Sequence, residues 1–157
     1  MPNRVKPIPE GFHTATPFLT VDNGQKALEF YKRAFGAKEV MRLEGPDGKL
    51  DYAEIQIGDS RITLSDGFPN MNKSAKALGD SSVAIMLYVE DADKVFKQAV
   101  AAGAKEVQPM KDQFFGDRTG SVTDPFGHRW YVCTHIEDVS PEELKRRTAE
   151  VMAPAAK

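Results

Sequence analysis

Residues 17–40 read PFLTVDNGQKALEFYKRAFGAKEV, and residues 85–107 read IMLYVEDADKVFKQAVAAGAKEV. Each stretch runs from a strand through an acidic turn into an amphipathic helix. Each ends in the same pentapeptide, Gly-Ala-Lys-Glu-Val, at Gly36–Val40 and Gly103–Val107. Five identical residues at the same place in a matched hydrophobic pattern mark an internal repeat, which decides the fold before any single element does.

The local physics agrees in both copies. Leu19 and Val21 alternate with Phe18 and Thr20, and Leu87 and Val89 with Met86 and Tyr88, the period of two that a strand requires. Asp22 or Asn23, and later Asp91, stand where a helix N-cap needs a side-chain oxygen. Ala27, Phe30, Tyr31, Ala34 and Phe35 form one apolar stripe, and Ala92, Val95, Phe96, Ala99 and Val100 form the other. Gly36 and Gly103 end the helices. Further strands are expected at Glu39–Leu43, Tyr52–Ile57 and Arg61–Ser65, then at Glu106–Pro109, Gly120–Thr123 and Trp130–Thr134. The turns are Gly45–Gly48, Gly58-Asp59 and Asp124–Gly127. The sequence therefore predicts an α+β domain of two tandem βαβββ modules, residues 12–66 and 83–136. Residues 67–82 link them, and Ser140-Pro141-Glu142-Glu143 caps a last helix over 141–152. That helix is expected to dock or to make a dimer contact.

At 157 residues the chain has a single-domain length. Its net charge of −2, from 21 basic and 23 acidic residues, supplies no field for nucleic acid or an anionic membrane. No apolar run reaches the ~20 residues of a membrane span, and Met1–Gly11 has no apolar h-region, so a cytoplasmic location is expected. The single cysteine, Cys133, excludes an intrachain disulfide, and its apolar run Trp130–Cys133 predicts a packed thiol.

Pro17-Phe18-Leu19, Phe30-Tyr31, Phe35-Gly36-Ala37, Ala53-Glu54 and Leu64-Ser65-Asp66 resemble the vicinal oxygen chelate superfamily. So do Phe115-Gly116-Asp117-Arg118, Asp124-Pro125-Phe126-Gly127-His128 and Thr134-His135. The superfamily includes glyoxalase I and the bleomycin-resistance proteins, and the likeness is to its PhnB-like branch. It implies a homodimer with a small-molecule ligand, and sheets curling around a cleft. It also implies a divalent metal held by His or Glu side chains from four strands. Those positions fall on Thr16, Thr63, Ala84 and Tyr131, none of them a credible ligand. A relocated site using His135 and Glu54, with Asp66 or His128, is the alternative.

Strand parity gives the cleft lining. With Leu19, Ile55, Leu64, Leu87 and their like facing the helices, the alternates Phe18, Tyr52, Glu54, Gln56, Arg61, Thr63, Met86, Tyr88, Arg129, Tyr131 and Cys133 face the other way. Phe115 and Arg118, from an expected loop over Lys111–Thr119, join this set. Each also has a plainer role: Glu54 with Arg129 as a surface ion pair, Phe18, Met86 and Tyr88 as packing, Asp117 and Arg118 as braces of the loop. No dinucleotide fingerprint, P-loop or nucleophile elbow appears, so no cofactor is implied. The expected function is metal-free binding of a small organic molecule. The alternatives are a glyoxalase-, lyase- or dioxygenase-like metalloenzyme with Glu54 as its candidate catalytic base, and a non-catalytic interaction module.

Overall fold

The computed structural model describes residues 4–154; residues 155–157, past the expected end of the last helix at 152, lie outside them. Module one contains β1 (Phe18–Val21), α1 (Gly24–Phe35), β2 (Lys38–Glu44), β3 (Leu50–Ile57) and β4 (Ser60–Asp66). A one-turn helix, α2 (Ala75–Leu78), interrupts the linker. Module two contains β5 (Ala84–Tyr88), α3 (Ala92–Ala102), β6 (Lys105–Asp112), β7 (Asp117–Thr123) and β8 (Arg129–His135), and α4 (Pro141–Met152) follows. The sheets have matching orders, β1-β4-β3-β2 and β5-β8-β7-β6. In each, the first strand runs parallel to the last and the other pairs are antiparallel.

The caps form as the sequence predicts. Asn23 and Asp91 accept from the backbone N–H groups of Lys26 and Lys94, and Gly36 closes α1 in the left-handed region. Ser140 caps α4, but Glu143 does not complete a capping box; its carboxylate is drawn to Arg146 and Arg147 instead. The shared pentapeptide has a structural reason. Glu39 pairs with Ile55 and Met41 with the adjacent Glu54, so Val40 is an extra residue; Val107 is the same extra residue between Glu106 and Gln108. Both modules place a bulge at the end of the repeat, bending the outer strand.

The modules share one core. Leu19, Val21, Ile55, Ile62 and Leu64 of the first sheet and Leu87, Val122, Trp130 and Val132 of the second are buried in a single cluster with α1 and α3. The Phe35 ring lies 4.5 Å from that of Trp130, and the Gln98 side chain of α3 donates to the Ala34 carbonyl of α1. At the centre, the buried Asp124 side chain accepts from Tyr31 Oη at 2.6 Å, from Trp130 Nε1 at 2.9 Å, and from the backbone N–H groups of Phe126 and His128. Burial and the Asp124 charge hold the Tyr31 phenol well above its ordinary pKa. Both helix-bearing faces thus look inward, and the other face of each sheet is open.

Candidate functional site

Parity sorts the strand residues as expected, but the arrangement of the modules changes the site. A single cleft between the modules was expected to hold all of the lining residues. The structure sets most of them on two open faces, one per sheet, with the shared core behind both, while Phe18 and Arg129 meet in a groove between the modules.

On the first sheet, Glu54 is the centre of a bonded cluster. Arg61 donates to Glu54 at 3.0 Å and to Gln56 at 2.9 Å, and Tyr52 donates to Glu54 at 3.0 Å. Gln56 stands opposite Arg61 in the ladder, so Arg61 reaches Glu54 along the diagonal. The ion pair expected between Glu54 and Arg129 does not form, because Arg129 lies at the start of β8 in the other sheet. Desolvation, then the hydrogen bond to Glu54, raises the Tyr52 pKa. The Phe12 ring of the N-terminal segment covers the Arg61 guanidinium at 4.9 Å, and Phe18 approaches Tyr52 at 6.2 Å. Thr63 stands opposite Phe18 and donates to the Pro17 carbonyl, while Thr16 lies before β1 begins.

On the second sheet, Met86, Tyr131, Cys133, Thr119, Gln108 and Phe115 surround a cavity of about 510 Å³. Cys133 forms part of its wall with its sulfur 3.2 Å from Thr119 Oγ1, and burial pushes the thiol pKa up, away from the reactive thiolate. Beside the cavity, Asp117 accepts from Tyr88 Oη at 2.7 Å and holds His135 Nδ1 at 2.8 Å, with Asp138 on His135 Nε2. The bond to Asp117 is the main reason the Tyr88 pKa is pushed up to about 12. Arg118 is not part of this face: it pairs with Asp93 of α3 and with Asp112. The expected loop is only the turn 113–116, and the residues on either side of it are strand. Arg147 of α4 steadies that turn, donating to the Phe114 carbonyl and to Glu137.

Between the edges of β1 and β5 runs a groove of about 660 Å³ where Phe18, Ile85, His128 and Arg129 meet. His128 belongs to the scaffold, with its ring nitrogen 3.2 Å from the Thr20 carbonyl oxygen.

His135 makes the second sheet's rim sensitive to pH. Its hydrogen bonds to Asp117 and then Asp138 raise its pKa above the usual value of 6.5. The folded state holds the proton more tightly than the unfolded chain, so the stabilisation is fully present below the unfolded value and fades as pH rises through the folded one. Thermal melts of the wild-type and His135→Gln proteins are expected to differ most below pH 6.5 and to converge as the pH rises through the raised folded-state value. A difference that grows with pH would refute the doubly bonded imidazolium.

The four positions where the superfamily's metal ligands would fall offer little to a cation. Ala84 has no donor atom and the Thr63 hydroxyl is spent on a carbonyl. His135 and Glu54, on different sheets, are already bonded to other side chains. Among the described residues no group of three or more His, Cys, Asp or Glu side chains is placed to hold a metal ion. No helix among them is long and apolar enough to cross a membrane.

Residues 12–132 match the family model for the Glyoxalase/Bleomycin resistance protein/Dioxygenase superfamily. An uncharacterised protein of Mycobacterium tuberculosis is 40% identical over 134 residues, spanning 83% of this chain and 79% of that one. A solved structure of an Arabidopsis thaliana gene product superposes with a TM-score of 0.63 at 29% identity, covering 76% of this chain and 97% of that one. The PhnB protein of Bacillus cereus shares the fold, with a TM-score of 0.63 at 18% identity over 78% of this chain and 99% of that one.

Proposed function

The chain belongs to the Glyoxalase/Bleomycin resistance protein/Dioxygenase superfamily, and on that footing we propose that it is a PhnB-like cytoplasmic homodimer binding a small organic molecule without the superfamily's usual metal. The observation that carries this reading is the pair of open sheet faces. Phe18 and Met86 are 54% exposed and Tyr88 is 59% exposed, on faces that carry polar groups and, among the described residues, no covering helix. Aromatic walls with a few polar groups suit a flat organic ligand.

In the proposed dimer the first sheet of one copy packs on the second sheet of its partner, and the two-fold axis repeats that contact reciprocally. Two equivalent clefts result, each lined by both modules but by different chains. Binding is favoured over catalysis because the candidate base, Glu54, is engaged by Arg61 and Tyr52, and the Cys133 thiol is kept protonated. Among the described residues the donor set offers no place for the metal.

Thermal shift with planar aromatic compounds, in the presence of EDTA, tests this. A ligand at about a hundred times its Kd adds about 2.7 kcal/mol, roughly 5–10 °C in Tm at this chain length. Stabilisation that appears only with added divalent metal and vanishes with EDTA would overturn the metal-free reading.

A further inference from the structure

We infer that the cavity on the second sheet takes an aromatic anion, with Lys111 as the group that recognises its charge. The inference rests on the open face of this sheet being a ligand surface and adds the chemical class of the ligand. It begins with the ladder. Gln108 pairs with Ser121 and Lys111 with Thr119, three residues along β6 against two along β7. The additional residue lies within Pro109–Met110, a second bulge in β6 beyond the one at Val107. A regular strand would send residues 108 and 111 to opposite faces. The bulge turns both toward the cavity, and bulges re-aim side chains in this way beside binding sites.

Lys111 brings a positive charge that the fold does not use. The carboxylates near it are committed, Asp112 to Arg118 and Asp117 to His135 and Tyr88, and among the described residues Lys111 forms no ion pair. The rest of the lining sets the remainder of the ligand. Phe115, Tyr131 and Met86 present ring and thioether surfaces for a flat apolar body, and the Gln108 and Gln113 amides can donate to an oxyanion beside Lys111. The protonated Cys133 thiol adds no negative charge to the cavity wall, so no thiolate opposes an anion. Apolar walls with one cation near the outer strand fit an aryl carboxylate better than a neutral arene or an aromatic amine.

The test compares 1-naphthoate with its neutral isostere 1-naphthamide by calorimetric titration of the intact protein. Naphthoate is expected to bind about tenfold tighter than the amide, as an ion-paired hydrogen bond outweighs a neutral one. In Lys111→Met the preference is expected to vanish through loss of naphthoate affinity alone, and in Lys111→Arg to persist. Circular dichroism and Tm of each variant establish that it is folded. Equal affinities in the wild type, or an unchanged preference in Lys111→Met, would overturn the assignment. Loss of naphthoate binding with neutral aromatics still stabilising the protein would remove the anion assignment alone. Failure of every aromatic probe would remove both it and the ligand-binding reading.

Discussion

Asp124→Ala is expected to lower stability by about 3–5 kcal/mol, a larger loss than removal of the Tyr31 hydroxyl that it accepts from. The side chain accepts four hydrogen bonds in the core, two from the backbone of its own turn and two from Tyr31 and Trp130. Alanine leaves all four donors buried and unpaired, and the cost is their desolvation rather than the net worth of the bonds. At this chain length the loss corresponds to roughly 10 °C in Tm. Asp124→Asn is expected to cost less, since its oxygen still serves the turn while its amide cannot accept from Trp130. Tyr31→Phe removes a single donor and is expected to cost about 1–2 kcal/mol. A double-mutant cycle between Tyr31 and Asp124 reads the coupling of module one to module two directly. A loss below about 1 kcal/mol in Asp124→Ala would mean that the hub does not hold the modules together.

The same residue shows what a sequence does and does not disclose. Asp124 is legible as the first residue of a turn, because Pro125 and Gly127 follow at the spacing a turn needs. Its link to Tyr31, across the two modules, has no local signal. The helix stripes, the caps and the helix-facing place of Trp130 follow from periodicity within a dozen residues, so they are readable. The packing of the modules helix side to helix side is a long-range choice, equally compatible with the same stripes, and it leaves most of the expected cleft lining on two open faces.

Among the site residues, Phe18, Tyr52, Glu54, Gln56, Met86, Tyr88 and Tyr131 follow simple alternation and lie on the faces that parity assigns. Arg118 does not, because Phe114-Phe115-Gly116-Asp117 hides the start of β7 and makes a strand residue look like loop. Lys111 escapes a parity reading for a related reason: a bulge shifts the alternation, and only the ladder register reveals it. Pro109, inside a run that otherwise continues as strand, is the one local hint of an irregularity there. The Glu54–Arg61 pair is open to discovery through the turn at Gly58-Asp59, which places residues 56 and 61 opposite each other.

The second large effect concerns where the ligand sits. Tyr52→Asp on the first sheet and Tyr131→Asp on the second each put a carboxylate against an aromatic anion on an open face. Each is expected to weaken 1-naphthoate binding by at least about tenfold, through like-charge repulsion and loss of a ring wall. Neither position supplies a helix-facing core contact, so both variants are expected to fold. If each cleft combines the first sheet of one chain with the second sheet of its partner, the two variants complement one another. A mixed dimer then carries one doubly altered cleft and one cleft with both tyrosines intact.

Co-refolding the two variants in equal amounts and measuring the number of high-affinity naphthoate sites is therefore the most direct measurement of the shared cleft. Random pairing makes half of the dimers mixed, so recovery of about a quarter of the wild-type sites is predicted from a pair of variants that alone show none. Wild-type binding by Tyr52→Asp alone, or no recovery on mixing, would contradict a cleft built from two chains.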